Sequence, residues 1–154
     1  MATLTYFTVS GDWRSSEDPM ASSTANTPRV QVVSGFVDFI PRLPSGYAIN
    51  ISDFDLEGQT RDAAILLAPR KARIWNGQLC TINAVDSPGV QLVANSAALN
   101  LTDPLVYDVL FSNIRYNASD QRIQNFAFTA PTGGGTGWTV CITDPALPRL
   151  SWPK

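Results

Sequence analysis

The residues best suited to chemistry in this sequence are three carboxylates that alternate along one segment, Asp53, Asp55 and Glu57. Alternate side chains of an extended chain share one face, so these groups suit a calcium site or the paired acid and base of a glycosidase. No further ligands follow at the spacing of a calcium-binding loop. We therefore favour a solvated, turn-forming acidic loop, and we predict no bound metal and no cofactor.

Nucleophilic catalysis lacks its usual partner, because the chain contains no histidine. Histidine is the commonest general base and metal ligand, so the cysteines and serines have no such group to activate them. Cys80 lies between Leu79 and Thr81, which indicates a buried strand thiol, and its pairing with Cys141 stays open. The glycines of 133–137 lack the Lys and Ser or Thr of a phosphate-binding loop. These residues favour a protein that is not an enzyme.

Four tryptophans and four tyrosines offer a different chemistry, the stacking of sugar rings on aromatic side chains. Aromatic residues on strands are more often core or interface anchors, so a glycan site is the less favoured alternative. Trp13 and Trp152 stand in the polar segment 10–28 and the Pro-rich segment 143–154. These segments suit docking on neighbouring subunits slightly better than folding back on their own domain. Because Arg and Trp are favoured at interfaces, the predicted interface residues are Trp13, Arg14, Arg70, Arg73, Trp138 and Trp152.

Composition limits the possible partners. The formal net charge is -2 and the sequence pI is about 4.9, which predicts no binding to nucleic acid. The longest apolar run, 63–69, is too short to cross a bilayer, and the N-terminus lacks the pattern of an export signal. We expect a chain made in the cytosol, with no membrane insertion. Charged residues make up only 16% of the chain, which indicates an extensively packed or subunit-covered surface.

The elements that position these residues are predicted to be β-strands. Asn76-Gly77 is typical of a type I′ hairpin turn, and 87–89 predicts a second turn that continues the same meander into 90–93. Residues 3–9 predict an edge strand that is free to pair with a neighbouring subunit. The segment 30–40 predicts one strand with a bulge at Gly35. A polar break is expected at 53–59. For 95–100, periodicity does not decide between a loop and a helical turn.

About nine such strands predict an all-β chain, an antiparallel β-sandwich of jelly-roll or immunoglobulin-like type with extended N- and C-terminal arms. We divide the chain into three parts. Residues 1–28 form an N-terminal strand and an extended arm, 29–142 form the β-sandwich domain, and 143–154 form a Pro-rich tail.

Five stretches resemble a known family, in an order that the family shares. They are GFVDFIPR at 35–42, AAILLAPRKARIWNGQL at 63–79, PGVQLVANSAALNL at 88–101, PLVYDVLFSNIRYN at 104–117 and NFAFTAPT at 125–132. Together they are similar to the N-terminal domain of actinobacteriophage minor tail proteins, from siphophages that infect mycobacteria and their relatives. The resemblance covers about residues 30–132 and rests on apolar and turn residues.

The resemblance implies a structural minor tail protein, located at the tail tip of a virion and assembled in the bacterial cytoplasm. It implies other phage tail proteins as partners and a homo-oligomer, with a trimer favoured. No catalytic residue carries over, because the family motifs contain none. Family members often continue into Gly-rich receptor-binding segments, whereas this chain ends soon after 133–137. That difference favours a tip, baseplate or fibre-base subunit whose part in host attachment is indirect.

Two alternatives remain beside this expectation. One is a carbohydrate-binding or receptor-binding module that recognises a host cell-wall glycan through its aromatic residues. The other is a hydrolase that uses Asp53 and Asp55.

Overall fold

The computed structural model describes residues 3–17, 29–44, 46–116, 119–132 and 139–150. Apart from one short 3₁₀ helix, the regular secondary structure of this part of the chain is all β-strand, with no α-helix, so the predicted all-β sandwich is confirmed. The strands are β1 (Tyr6–Ser10), β2 (Arg14–Glu17), β3 (Arg29–Val32), β4 (Ser34–Pro41), β5 (Ile49–Leu56), β6 (Gln59–Ile65), β7 (Arg70–Trp75), β8 (Gln78–Thr81), β9 (Ala84–Pro88), β10 (Val90–Val93), β11 (Val106–Tyr116), β12 (Ser119–Asp120), β13 (Phe126–Thr129) and β14 (Thr139–Cys141). A short 3₁₀ helix, Ala97–Leu99, lies in the segment for which a loop and a helical turn were both open.

The main sheet has seven antiparallel strands in the order β12-β11-β4-β7-β8-β9, and β13 also pairs with β11. Strand β4 lies in the middle of this sheet, between β11 and β7. Every second residue of β4 is buried, with Val37 and Phe39 fully covered, so one face of the strand lies on the core. The predicted bulge lies in the neighbouring strand. The β4–β11 register shifts between Ser112 and Arg115, where Asn113 has a φ of 52°. Gly35 is the residue that this bulge packs against.

A second sheet, in the order β10-β1-β14, covers the main sheet. Strand β1 is its central strand, so the expectation that 3–9 is a free edge is wrong: β10 pairs with one side of it and β14 with the other. The β1–β14 pair is parallel, which the predicted antiparallel pattern did not include. Phe7 of β1 meets Tyr107 and Phe128 of the main sheet, each with ring centroids 6.2 Å apart. These contacts form the core between the two layers.

The meander that begins at Asn76-Gly77 is confirmed for β7, β8 and β9, but it ends at Gly89. Gly89 has a φ of 105°, and its N–H donates to Leu79 O at 2.7 Å. The chain there leaves the main sheet, and β10 pairs with β1 of the other layer. The prediction that Val90–Val93 continues the same meander is therefore wrong, because both faces of the core need strand cover and the glycine permits the crossing.

The predicted polar break at 53–59 is wrong for 53–56, where strand β5 continues as far as Leu56. Glu57 and Gly58 then form a second tight turn, with φ values of 51° and 87°. The β5–β6 hairpin forms its own two-stranded sheet, whose register shifts between Ile51 and Phe54. Ile51 and Phe54 are buried, so the apolar side of the hairpin packs on the core while its carboxylates face outward.

A polar clamp and an ion pair fix the end of the sandwich near Leu105. Buried Asn95 receives a hydrogen bond from Leu105 N–H at 2.7 Å and donates through Nδ2 to Ala130 O at 2.9 Å. Arg42 Nη2 lies 2.6 Å from Asp108 Oδ1, and the Asp108 side chain is only 10% exposed. The Asn95 hydrogen bonds hold the start of β11 and the end of β13 to the loop that follows β10, and the ion pair joins β11 to the residue that follows β4.

Candidate functional site

The candidate site is built around the turn that joins β7 to β8. Asn76 and Gly77 have φ values of 54° and 84°, the two positive values of the predicted type I′ turn. Trp13 N–H donates to Gly77 O at 2.8 Å, and Gly77 N–H donates to Val33 O at 3.0 Å. A Cβ at residue 77 would lie 2.9 Å from Val32 Cγ1, so only glycine fits. The turn thus connects three segments of the chain.

Outward-facing side chains beside this turn form a basic–aromatic strip, which we define as Phe36, Lys71, Arg73 and Trp75. The guanidinium carbon of Arg73 lies 4.6 Å from the centroid of the Trp75 ring and 5.9 Å from that of Phe36. Lys71 Nζ lies 5.5 Å from the Phe36 centroid. These distances are those of cation–π contacts. Among the described residues, neither cation forms an ion pair, so both stay available to an external anion.

Cys80 lies on β8 opposite Arg73. The residue is 1% exposed and its Sγ donates to Arg73 O at 3.7 Å, so the predicted buried thiol is confirmed. Burial raises the pKa of the Cys80 thiol, and the charge of Arg73 only partly opposes that effect. Arg73 Nε is buried without a hydrogen-bond partner, so the Trp75 ring supplies the main stabilising contact of this guanidinium. Its burial and raised pKa favour a packing role for Cys80 over a nucleophilic one.

Cys141 differs from Cys80 in every respect that governs reactivity. It is exposed at the end of β14, and a hydrogen bond with the Thr143 hydroxyl is the main cause that lowers the pKa of its thiol. The Cys141 Sγ and Thr143 Oγ1 atoms are 3.3 Å apart. Both cysteines are free, which answers the open question of their pairing.

At the Trp75 end, the strip opens into a shallow groove of about 390 Å³. Trp75 is 46% exposed, and Tyr116 lies half-buried among the same lining residues. Aromatic rings beside amide, hydroxyl and guanidinium groups can stack on a sugar ring and bond its hydroxyls. We define the groove by its lining residues, which are Val32, Val33, Ser34, Trp75, Asn76, Arg115 and Tyr116.

Of the predicted interface residues, Trp13 lies against its own domain, whereas Arg14 is exposed. The Trp13 ring packs edge-on against Phe111, with centroids 5.7 Å apart and planes at 70°. Arg14 Nη2 lies 3.1 Å from Asp12 Oδ2 in an exposed ion pair, a kind worth at most about 1 kcal/mol. Strand β2 pairs with β3, so the expectation of an unpacked arm is wrong for 10–17.

The described part of the tail also folds back on the domain. Leu150 exchanges backbone hydrogen bonds with Ala127 at 2.8 and 3.1 Å. Arg149 donates to Ile142 O at 2.8 Å, and its guanidinium carbon lies 5.3 Å from the Phe126 centroid. The reason is that β13 would otherwise present an unpaired edge and an exposed ring. The segment 143–150 therefore folds back on its own domain, the less favoured of the two arrangements expected for it, and docking on a neighbouring subunit stays a prediction.

The remaining predicted interface residues divide into two groups. Arg70 and Arg73 stand on β7, where Arg70 is exposed and Arg73 belongs to the basic–aromatic strip. Trp138 and Trp152 lie outside the described residues. The structure therefore brings Arg73 close to Trp75 and the groove, and it places Trp13 beneath the turn as a support. A role of these residues at an interface stays a prediction.

The acidic residues that suggested a calcium site or a catalytic pair stabilise the β5–β6 hairpin instead. Asp55 Oδ1 accepts a hydrogen bond from Gly58 N–H at 3.2 Å, as expected for a turn-forming residue. Asp62 Oδ1 accepts from Asp53 N–H at 3.2 Å and holds the bulge. Within the described ranges, no group of three or more Cys, Asp or Glu side chains is placed to hold a metal ion. The geometry favours a turn over a catalytic pair.

Sequence reasoning did not single out the groove residues Asn76, Arg115 and Tyr116 as a site. One signal was present, because Trp75 directly precedes the Asn-Gly dipeptide and is too large to be fully buried beside a tight turn. Arg115 and Tyr116 of β11 lie far from Trp75 in the sequence, so no local sequence pattern indicates that they share its groove. Other exposed aromatics, Tyr6 and Tyr47, line none of the described cavities.

Comparisons of the chain with protein families, with curated proteins and with solved structures give no match. No helix in the described part of the chain is long and apolar enough to cross a membrane. Function is therefore argued from the residues and the geometry above.

Proposed function

We propose that this protein is a non-enzymatic structural subunit of a phage tail tip, baseplate or fibre base. In this proposal it assembles with copies of itself and with other tail proteins, and it contributes to host attachment indirectly.

One observation carries the proposal: the motifs that resemble minor tail proteins fall mainly on adjacent strands of one sheet. The stretch 35–42 covers most of β4, 63–79 covers β7 and the following turn, 104–117 contains β11, and 125–132 contains β13. These strands are neighbours in the main sheet. Motifs that are scattered along the chain thus describe a single structural unit. That agreement supports a shared scaffold, since unrelated sequence coincidences have no reason to be adjacent in space.

The experiment is to look for the protein in the particle. Particles of the phage that encodes the chain are purified, their proteins are identified by mass spectrometry, and an antibody against the chain is located by immunogold microscopy. Label at the distal end of the tail is the expected result, with preimmune serum as the control. Particles that lack the chain, or that carry it only on the capsid, would contradict the proposal.

The groove favours a second candidate function, recognition of a cell-wall glycan. Trp75 and Tyr116 are the aromatic members of one groove, and Asn76 and Arg115 supply polar groups beside them. Sugar binding by such sites relies on ring stacking, to which an exposed indole contributes most. Under this candidate the groove would hold a saccharide at the surface of a mycobacterial host or a relative.

A binding assay with purified mycobacterial cell-wall polysaccharide tests this candidate. Trp75→Ala and Tyr116→Ala are each expected to weaken binding by about tenfold or more, because buried aromatic anchors dominate such contacts. Tyr47→Ala is the matched control, since Tyr47 is 43% exposed, close to the 46% of Trp75, and lines none of the described cavities. No binding by the wild-type chain, or equal loss in all three variants, would rule the candidate out.

A further inference from the structure

Two surfaces of the described chain carry opposite charges that form no ion pair within it. The first is the start of β7, where Arg70, Lys71 and Arg73 follow one another within four residues. The second is the β5–β6 hairpin, whose carboxylates face solvent around its turn. The ion pairs of the described residues involve neither set. Each surface is therefore open to an ion partner from outside the chain.

The hairpin is acidic along most of its outer side. Asp53, Glu57 and Asp62 are exposed, and Asp55 is half-buried at the turn. Arg61 is the one cation among residues 49–65, so the hairpin carries four negative charges and one positive charge, a net of -3. The whole chain carries only -2. The negative charge is thus concentrated on this hairpin.

The basic surface has the composition of an interface hot spot. Arg73 and Trp75 are held together at 4.6 Å, and Arg and Trp are the residue types most enriched among residues that dominate binding energy. Asp38 faces Lys71 across the β4–β7 register, but the two do not form an ion pair. Counted with Asp38, residues 70–73 keep a net charge of +2, from three cations and one carboxylate.

We propose that the acidic β5–β6 hairpin of one copy docks on the basic–aromatic strip and Arg70 of a second copy. A second copy fits as the partner because this chain itself carries an acidic surface whose charge complements the basic one. Because the two surfaces differ, the contact is head-to-tail, and repetition of it closes a ring or extends a filament. The inference deepens the proposed function, on which it rests for the expectation that copies assemble.

Charge reversal on each surface tests the contact by light scattering on a size column. Arg70→Glu/Lys71→Glu changes two exposed residues and leaves the Arg73–Trp75 contact intact. Asp53→Lys/Glu57→Lys changes two exposed hairpin residues. Each double variant alone is expected to associate about tenfold or more weakly than the wild type, because like charges then face each other. Association of the wild type should also weaken as salt rises from about 0.05 M to about 0.5 M.

The decisive sample is an equimolar mixture of the two double variants. The unchanged acidic hairpin of the first fits the unchanged basic strip of the second, and the two reversed surfaces also fit each other. The mixture is therefore expected to regain the association of the wild type. Arg122→Glu and Asp103→Lys, which each reverse one charge of the same sign on an exposed residue outside both surfaces, serve as controls and should associate normally. Thermal melts of each variant establish that it is folded.

Three results would overturn the inference: a wild-type chain that stays monomeric at high concentration and low salt, reversed variants that associate as the wild type does, or a folded mixture that does not regain association. The particle experiment is independent of these results. A monomeric chain that is still found at the tail tip overturns the head-to-tail contact alone, whereas restored association of a chain absent from particles overturns the proposed function alone.

Discussion

Replacement of Asn95 by alanine is expected to destabilise the sandwich markedly, because one amide satisfies two buried backbone groups. Asn95 accepts from Leu105 N–H at 2.7 Å and donates to Ala130 O at 2.9 Å. Both groups lose their partner in Asn95→Ala. A buried polar group that is left unsatisfied costs about 1–3 kcal/mol, so the two groups together predict a loss in the free energy of unfolding of about 2–6 kcal/mol.

Urea unfolding followed by tryptophan fluorescence measures this loss, with a thermal melt as a second readout. A domain of this size is expected to lose about 2–4 °C in melting temperature per kcal/mol, so the melting temperature should fall by about 4–24 °C. Asn83→Ala is the matched control, since Asn83 is exposed in the connection between β8 and β9. A loss in Asn95→Ala that is no larger than that of the control would refute the reasoning, because it would mean that the clamp contributes nothing to stability.

Three further predictions follow from contacts of single residues. Gly35→Ala places a Cβ 2.4 Å from Ile114 Cδ1 and 3.0 Å from Ile114 Cα. Urea unfolding should therefore show a loss of about 1–3 kcal/mol in the free energy of unfolding. Ile114→Val should restore only part of this loss, and a full rescue would contradict the prediction. Burial raises the pKa of Tyr107 well above its usual range, so the stability it contributes is complete below about pH 10 and is lost as pH rises further. Alkaline unfolding of Tyr107→Phe should depend less on pH than that of the wild type. Cys141 should react with a thiol reagent at neutral pH while Cys80 reacts only on unfolding, and labelling of both at equal rates would oppose the assignment.

Local chemistry explains what the sequence could predict of this fold. The Asn76-Gly77 turn was predicted correctly because both residues tolerate positive φ wherever they occur. Glu57-Gly58 adopts a similar conformation, but the surrounding acids suggested a polar break, and glutamate is not a usual residue for that position. Pairing of β1 with β14, and the departure of β10 from the main sheet, depend on contacts between distant segments that no local pattern records.

The candidate site also combines features that local sequence shows with contacts between distant segments that it does not show. Trp13 stands in a polar segment, so the sequence favoured an exposed docking residue, whereas its actual partner is Phe111 on a distant strand. Trp75 and Arg73 share one face of a strand, which alternation alone could have shown. Tyr116 reaches the same groove only through the pairing of β11 with β4, next to the bulge. Sequence therefore indicated the kinds of residues at the site but not their grouping.

Because β14 comes last among the described strands and pairs with β1, the second sheet gains its third strand only after residues 139–141 have been synthesised. Thr8 pairs with Thr139, so 131 residues separate the partners (139 minus 8). Closing a loop of that length costs about 4 kcal/mol of chain entropy, and folds with many such contacts reach the native state in milliseconds to seconds. Until residues 139–141 leave the ribosome, one edge of β1 presents unpaired N–H and C=O groups to other nascent chains. We expect the rate at which this edge is closed to limit how many copies can be synthesised together without aggregation.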